Sequence, residues 1–186
     1  MNERQLLKHQ RTRQNIIQAA HELIQENGYN RLSLRAIAKR VQYAPASLYE
    51  YFDNKDAIID ALSDEINVRL SSQMRQETKL VEMAWQYVAF ALENSDDFQL
   101  LYQRPLLASQ EEKAKAIFFG AIQVRKPNLP KQALEAMVYA LWATAHGIAL
   151  LALSREYFDS VDDKEYHCQA LQIIVDNIEN FSRKEL

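Results

Sequence analysis

Apolar residues recur along this chain every three or four positions and nowhere alternate strictly with polar ones, so the pattern predicts helices and no strands. Ile16, Ala20, Leu23 and Ile24 form one face of a first helix. Gly28 is placed to stop it in the left-handed cap conformation, with Tyr29 folding back toward Ile24. Ser33 stands as N-cap of a second helix, with Leu32 and Ile37 at staple spacing across it and Val41 continuing the inward face. Pro45 suits the first turn of a third, where its missing N–H costs nothing. On that short helix Leu48 and Phe52 fall inward, with Tyr43 beside them, while Ser47, Tyr49 and Tyr51 are on view. Ile59, Leu62, Ile66 and Leu70 mark a long fourth helix starting near Asn54.

Past about Gln76 five more helices follow. Val81, Ala84, Trp85, Val88 and Leu92 give the fifth. Ser95, Asp96 and Asp97 open a short sixth that stops before Pro105. Ser109 and Glu112 have capping-box spacing for a seventh through Ala121. Pro127 and Pro130 punctuate a loop, an eighth helix runs to about Ser154, and residues 160–163 are placed to cap a ninth whose apolar side carries Leu171, Ile174, Ile178 and Phe181. The expected fold is therefore all-α, with about nine helices.

Composition agrees: 3 Gly and 4 Pro leave few breakers, and 48% hydrophobic residues can build a substantial core. A single Cys excludes an internal disulfide, and with no secretory leader a reducing cytoplasm is expected. Residues 136–153 carry no charge and are long enough to raise the question of a membrane span. Six alanines with Thr144, His146 and Gly147 read instead as a helix buried in protein, so no membrane is expected. Net charge is −3, but its distribution is uneven. Basic residues outnumber acidic ones nine to five up to Lys55 and are outnumbered thirteen to twenty beyond it. A basic head on an acidic body fits phosphate contact at one end only.

The run Ile37-Ala38, Ser47-Leu48-Tyr49, Tyr51-Phe52, Asn54-Lys55 resembles the N-terminal domain of the TetR family of transcriptional regulators. The resemblance covers residues 1–55, implies a helix-turn-helix there, and leaves 56–186 for ligand binding and dimerisation, linked by helix four (54–75). It further implies a homodimer on a palindromic operator in double-stranded DNA and, as in most of the family, repression released by a small-molecule effector. Pro45 and Ala46 offer apolar contact to thymine methyls, and Ser47 a hydroxyl to base or phosphate. Tyr49 and Tyr51 resemble the family's phosphate-contacting aromatics. Arg35 is placed for phosphate or a guanine edge, or as a solvated surface charge. Ser33 caps, with or without a phosphate contact. Lys55 opposes the dipole at a helix start, an arrangement that makes sense if a phosphate docks on the free N–H groups there.

Two positions depart from the family pattern, and a third is acidic. Gln42 stands where the turn commonly has Gly. Ala44 replaces the usual Ser or Thr cap, a local loss of about 1 kcal/mol. Glu50 is acidic on the recognition helix, either accepting from a cytosine amino group or facing solvent. Residues 1–13, with Arg4, Lys8, Arg11 and Arg13, read either as an arm touching DNA or as a charged lead-in.

In the body, Ala136, Ala140, Ala143 and Gly147 make a small-residue stripe. With Ile174 and Ile178 of the last helix it suggests a four-helix seam between two subunits, or else close packing within one. Trp142, His146 and Gly147 also resemble a TetR C-terminal class known for its Trp, His and Gly. Trp85, Tyr102, Phe119, Trp142 and His146 are the candidate lining of an apolar effector pocket, with His146 or Tyr102 as polar anchor; core packing is the competing reading. His167-Cys168 lacks a second pair at metal-ligand spacing, and no G-x-S-x-G, phosphate-binding Gly loop or His-Glu-x-x-His occurs. No metal, cofactor or catalytic residue is therefore expected. The leading expectation is a ligand-released repressor. The alternatives are an activator or co-regulator, and a helical ligand-binding protein or enzyme whose helix-turn-helix is only structural.

Overall fold

A computed structural model describes residues 2–103, 108–154 and 164–181. Among them every element is helical and none is a strand. The chain divides into two compact units, residues 1–66 and 67–186.

In the first unit α1 (Glu3–Asn27) begins with a reciprocal cap. The Asn2 side chain accepts from the Gln5 N–H at 2.9 Å, and the Gln5 side chain accepts from the Asn2 N–H at 3.0 Å. Residues 3–13 are thus the first turns of a helix. The helix stops at Gly28, whose N–H reaches the Ile24 carbonyl at 2.7 Å. The expected left-handed helical cap is not what forms. Gly28 has φ 80° and ψ 156°, an extended mirror-image conformation essentially reserved for glycine. It turns the chain into a 3-10 segment, Tyr29–Arg31. Ser33 then caps α2 (Leu34–Arg40), its Oγ accepting from the Ala36 N–H at 3.2 Å. Leu32 and Ile37 are both buried, as staple partners should be. Val41 is only half-buried, because α2 ends one residue before it.

Gln42 carries the turn that follows, with φ 60°. The left-handed region explains why a glycine suits this position, and Gln42 holds it against a steric cost of about 1–2 kcal/mol. The third helix forms as a 3-10 segment, Pro45–Glu50, rather than a full α-helix. Ala44 supplies no side-chain cap and Pro45 occupies its first turn. Asn54 Oδ1 accepts from the Ala57 N–H at 2.9 Å and starts α3 (Lys55–Arg75). Ile16, Ala20, Ile37, Leu48, Ile58 and Ile59 close the core of this unit.

The second unit takes in the remainder of α3, then α4 (Leu80–Glu93), α5 (Ser95–Gln103), α6 (Ala108–Arg125), α7 (Lys131–Ser154) and α8 (Lys164–Asn180). The α4 helix packs on α5, α6, α7 and α8, which is why it is apolar nearly all round. Tyr87, Phe90, Phe98, Phe118, Leu141 and Leu171 are fully sequestered there. Asp97 is buried in the first turn of α5 and ion-paired to Arg69 of α3. The expected end of α6 at Ala121 is overrun by one turn, to Arg125, whose Nη1 donates to the Ala121 carbonyl. Pro105, the Ser109–Glu112 side chains and the cap at 160–163 lie outside the described residues. α7 is long and apolar enough to cross a membrane by length and composition. One side of it, with Leu134, Leu141, Ala145 and Ala149, is buried against α4, α6 and α8. Its other side leaves Tyr139, Leu150 and Leu151 exposed.

Two backbone substitutions should move stability in opposite directions. Gln42→Gly should raise the unfolding free energy by about 0.5–1 kcal/mol, relief at φ > 0 exceeding the added entropy of the unfolded chain. Gly28→Ala should lower it by about 1–3 kcal/mol, although a Cβ there meets open space. Urea denaturation of the two variants beside the parent checks both signs.

Candidate nucleic-acid interface and effector pocket

The Pro45–Glu50 segment is anchored from beneath and behind. Leu48 is 1% and Phe52 4% exposed. Two side chains of α1 hold its C-terminal end. Arg13 Nη1 donates to the Tyr51 carbonyl at 2.6 Å while its guanidinium lies 3.8 Å from the centre of the Phe52 ring. His9 Nε2 stands 3.3 Å from the Glu50 carbonyl, to which it donates in its Nε2–H form, and the His9 ring packs on Tyr51 at 4.7 Å. The segment's end therefore carries a cation at its carbonyls, the favourable sign for a helix C-terminus.

With that anchorage, Ala44, Pro45, Ala46, Tyr49 and Glu50 are exposed and Ser47 is half-buried. Tyr49 is 59% exposed, so it does not fill the core. Tyr51 is half-buried between His9 and Tyr43, the latter edge-on at 6.4 Å. Tyr43, expected in the core, is 40% exposed: the positive-φ turn at Gln42 swings it out of the hydrophobic line. Ser33 is exposed, and its cap uses only an acceptor lone pair, leaving the hydroxyl proton for another partner. Arg35 is exposed. Arg40 is committed elsewhere, to Glu22 at 3.1 Å and Glu26 at 2.5 Å on α1. The hydrogen bond from Arg40, with its charge, holds the Glu26 carboxyl below its ordinary value. That ion pair therefore contributes above the ordinary carboxylate range and is lost as pH falls through the lowered one. Lys55 is half-buried at the start of α3 with its Nζ 5.6 Å from the Tyr29 ring centre. This cation–π contact offsets the unfavourable dipole at that position in addition to any phosphate.

In the second unit an aromatic and polar cluster joins α4, α5 and α7. The Tyr87 hydroxyl lies 2.5 Å from the Tyr102 hydroxyl and 2.9 Å from His146 Nδ1. The His146 ring sits 4.5 Å from Tyr102 and stacks on Trp142 at 5.3 Å. Lys115 Nζ lies 4.1 Å from the Trp142 ring centre, and the buried Trp142 Nε1–H has no hydrogen-bond partner among the described residues. Phe119 lines an adjoining cleft of about 690 Å³ with Lys115, Ala116, Glu135, Val138 and Tyr139. Trp85 is not brought to this cluster. It stacks on buried His167 of α8 at 6.1 Å, with Lys164 beside it. Cys168 is half-buried, and burial, then the Glu82 charge, pushes its thiol up, away from reactivity. Among the described residues no group of three or more His, Cys, Asp or Glu is placed to hold a metal.

Ala136, Ala140, Ile174 and Ile178 line a groove of about 330 Å³ between α7 and α8, together with Met137 and Phe181. Ala136 and Ala140 are exposed, Ala143, Gly147 and Ile174 half-buried, and Ile178 buried. A Cβ at Gly147 would meet nothing within 4 Å, so packing within the single chain does not require a small residue there.

Comparison with known proteins now decides the family. Residues 16–62 match the profile "Bacterial regulatory proteins, tetR family", and residues 80–174 match "Tetracyclin repressor-like, C-terminal domain". The chain belongs to the TetR family. It is a DNA-binding transcriptional regulator of that family. It is 36% identical over 67 residues to the HTH-type transcriptional regulator UidR of Escherichia coli strain K12, a match spanning 36% of this chain and 34% of UidR. To the uncharacterized HTH-type transcriptional regulator YobS of Bacillus subtilis it is 25% identical over 165 residues, 82% of this chain and 84% of YobS. A crystal structure of a TetR-family transcriptional regulator from Streptomyces coelicolor shares its fold, with TM-score 0.66 at 20% identity over 89% of this chain and 98% of the other.

The TetR resemblance named Ser33, Arg35, Ser47, Tyr49 and Lys55 as candidates, but not the residues that hold the Pro45–Glu50 segment of this TetR chain in place. His9 and Arg13 continue, at positions 9, 13, 16 and 20, the buried stripe of α1. That spacing was the available signal. Tyr87 was one aromatic among many until its hydroxyl was seen to join Tyr102 and His146. Trp85 points elsewhere because it stands two positions, about 200° of helical rotation, from Tyr87 on α4.

Arg13→Met keeps the aliphatic stem and removes the donor. It should cost about 1–2 kcal/mol of stability, read from urea melts, with His9→Gln nearer neutral.

Proposed function

We propose that this TetR-family regulator is a homodimeric repressor that binds a palindromic operator and is released by a small, largely apolar ligand. The observation that carries the reading is the recognition segment. Its Leu48 side chain, with Phe52 just beyond, is its anchor, while Pro45, Ala46, Tyr49 and Glu50 are exposed and Ser47 is half-buried. In this reading Pro45, Ala46 and Ser47 meet base edges, with Glu50 a specificity residue. Ser33, Arg35, Tyr49, Tyr51 and Lys55 hold phosphates. Ala44 lies at the segment's entrance beside them. The cellular setting would be the cytoplasm.

The seam between subunits is assigned to α7 and α8. The apolar groove there and the exposed Leu150, Leu151 and Ile173 support it. The effector site is assigned to the Tyr102, Trp142 and His146 cluster with the neighbouring Phe119 cleft, leaving Trp85 to the α8 contact. A ligand there would favour a dimer whose two recognition segments no longer match successive major grooves, about 34–36 Å apart.

A mobility-shift series with candidate palindromes at several salt concentrations tests the reading. Sequence-indifferent binding to every candidate would sink it. Tyr49→Ala and Lys55→Ala should weaken binding to all sequences alike, Lys55→Ala also lowering the salt slope by about 1. Ser47 and Glu50 changes should alter sequence preference instead. Ala140→Glu should convert dimer to folded monomer in sedimentation velocity and abolish tight operator binding; a dimer that persists would place the seam elsewhere.

A further inference from the structure

Trp142 of α7 is only 8% exposed, and its Nε1–H meets no acceptor among the described residues. A buried indole N–H normally has a hydrogen-bond partner, and one left without it is unfavourable. The groups against the ring do not supply one. His146 stacks on it with 14° between the two planes, so the imidazole lies over the ring and out of line with an N–H that points along the ring plane. Its Nδ1 is engaged by the Tyr87 hydroxyl. Lys115 Nζ also stands over the ring, and an ammonium group only donates. Lys115 belongs at the same time to the wall of the Phe119 cleft, and so does Tyr139, whose ring centre lies 6.3 Å from that of Trp142. Trp142 therefore stands one side chain behind the cleft wall. Both intervening side chains have room to move, since Lys115 is half-buried and Tyr139 exposed.

We propose that the Phe119 cleft takes an uncharged apolar molecule carrying a carbonyl group, whose oxygen accepts from Trp142 Nε1–H. A carbonyl oxygen only accepts, so it brings no O–H that needs an acceptor of its own. It has a second lone pair, and the Lys115 ammonium is a further donor at the same ring. Absence of net charge suits a cleft whose described lining holds both Lys115 and Glu135: a ligand anion would face the carboxylate, a ligand cation the ammonium. The hydrocarbon part lies along Ala116, Phe119 and Val138. The indole N–H then discriminates among ligands, because a molecule of the same shape without the oxygen leaves it unmet.

This assignment rests on the reading of the chain as ligand-responsive, and its central test needs no DNA. The chain has two tryptophans, so a proton–nitrogen correlation spectrum shows two indole resonances, and Trp85→Phe identifies the one from Trp142. Cyclooctanone and cyclooctane are the probes. Cyclooctanone should move the Trp142 Nε1–H resonance downfield, the direction expected on gaining an acceptor, and cyclooctane should not. In thermal melting, Trp142→Phe should weaken cyclooctanone binding about fivefold to tenfold and leave cyclooctane binding as in the parent. A Trp142 resonance that stays in place at saturating cyclooctanone, no stabilisation by cyclooctanone, or an equal loss of both ligands in Trp142→Phe would each overturn the proposal. The spectrum of the parent chain decides even where Trp142→Phe does not fold. Operator release by cyclooctanone is measured separately. Movement of the Trp142 resonance without release supports this site and counts against the ligand-released reading; release without movement does the reverse.

Discussion

A helical segment of six residues cannot hold its own shape in water, and the surface proposed to face DNA depends on overcoming that limit. Pro45–Glu50 has a handful of local backbone bonds and no side-chain cap at its start. What keeps it formed is tertiary. Leu48 and Phe52 are driven into the core of the first unit, and Arg13 and His9 take up the carbonyls that the short helix leaves unmet. A guanidinium that both donates to Tyr51 and stacks on Phe52 ties the polar and apolar parts of the anchor together. Burial alone would leave the end free to fray; the hydrogen bonds alone would not exclude water. Every outward group proposed for recognition, from Ser47 to Tyr51, takes its position from this double hold.

The second unit solves a different problem. Its central α4 is covered by four other helices, and the polar groups carried inward must find partners. The Tyr87 hydroxyl, fully enclosed, does so between Tyr102 and His146. Asp97 does so with Arg69. Partners run short, among the described residues, at Gln73 Oε1 and Trp142 Nε1.

Much of the fold was legible because its signals are local. The stripe at 16, 20 and 24, the Ser33 cap, the Asn54 start and the proline-marked loop before α7 each depend on a few neighbouring residues. What was not legible depends on contacts distant in sequence or on fine backbone geometry. Hydrophobic spacing announced a third helix but could not say that it would be 3-10. A glycine at 28 announced a stop but not the extended ψ that follows. Tyr43 looked like core because it is aromatic and close to Leu48, and only the turn at Gln42 shows why it emerges. Arg13 read as part of an arm touching DNA or of a charged lead-in, since nothing nearby in sequence reveals the carbonyl it will find thirty-eight residues later. For the candidate sites, family resemblance named the outward residues of the recognition segment, while the grouping of Tyr102, Trp142 and His146 without Trp85 had to come from three dimensions.

The placement of the two tryptophans has a practical side. Trp85 is stacked on a buried histidine, and Trp142 stacks on an imidazole and has an ammonium group near its ring, that of Lys115, which also lines the Phe119 cleft. Indole emission responds to neighbours of this kind, and the two rings occupy chemically separate surroundings. The protein therefore contains its own optical gauge: with Trp85 replaced by phenylalanine, the light from Trp142 would report occupancy beside α6 without a label, a crystal or a strand of DNA.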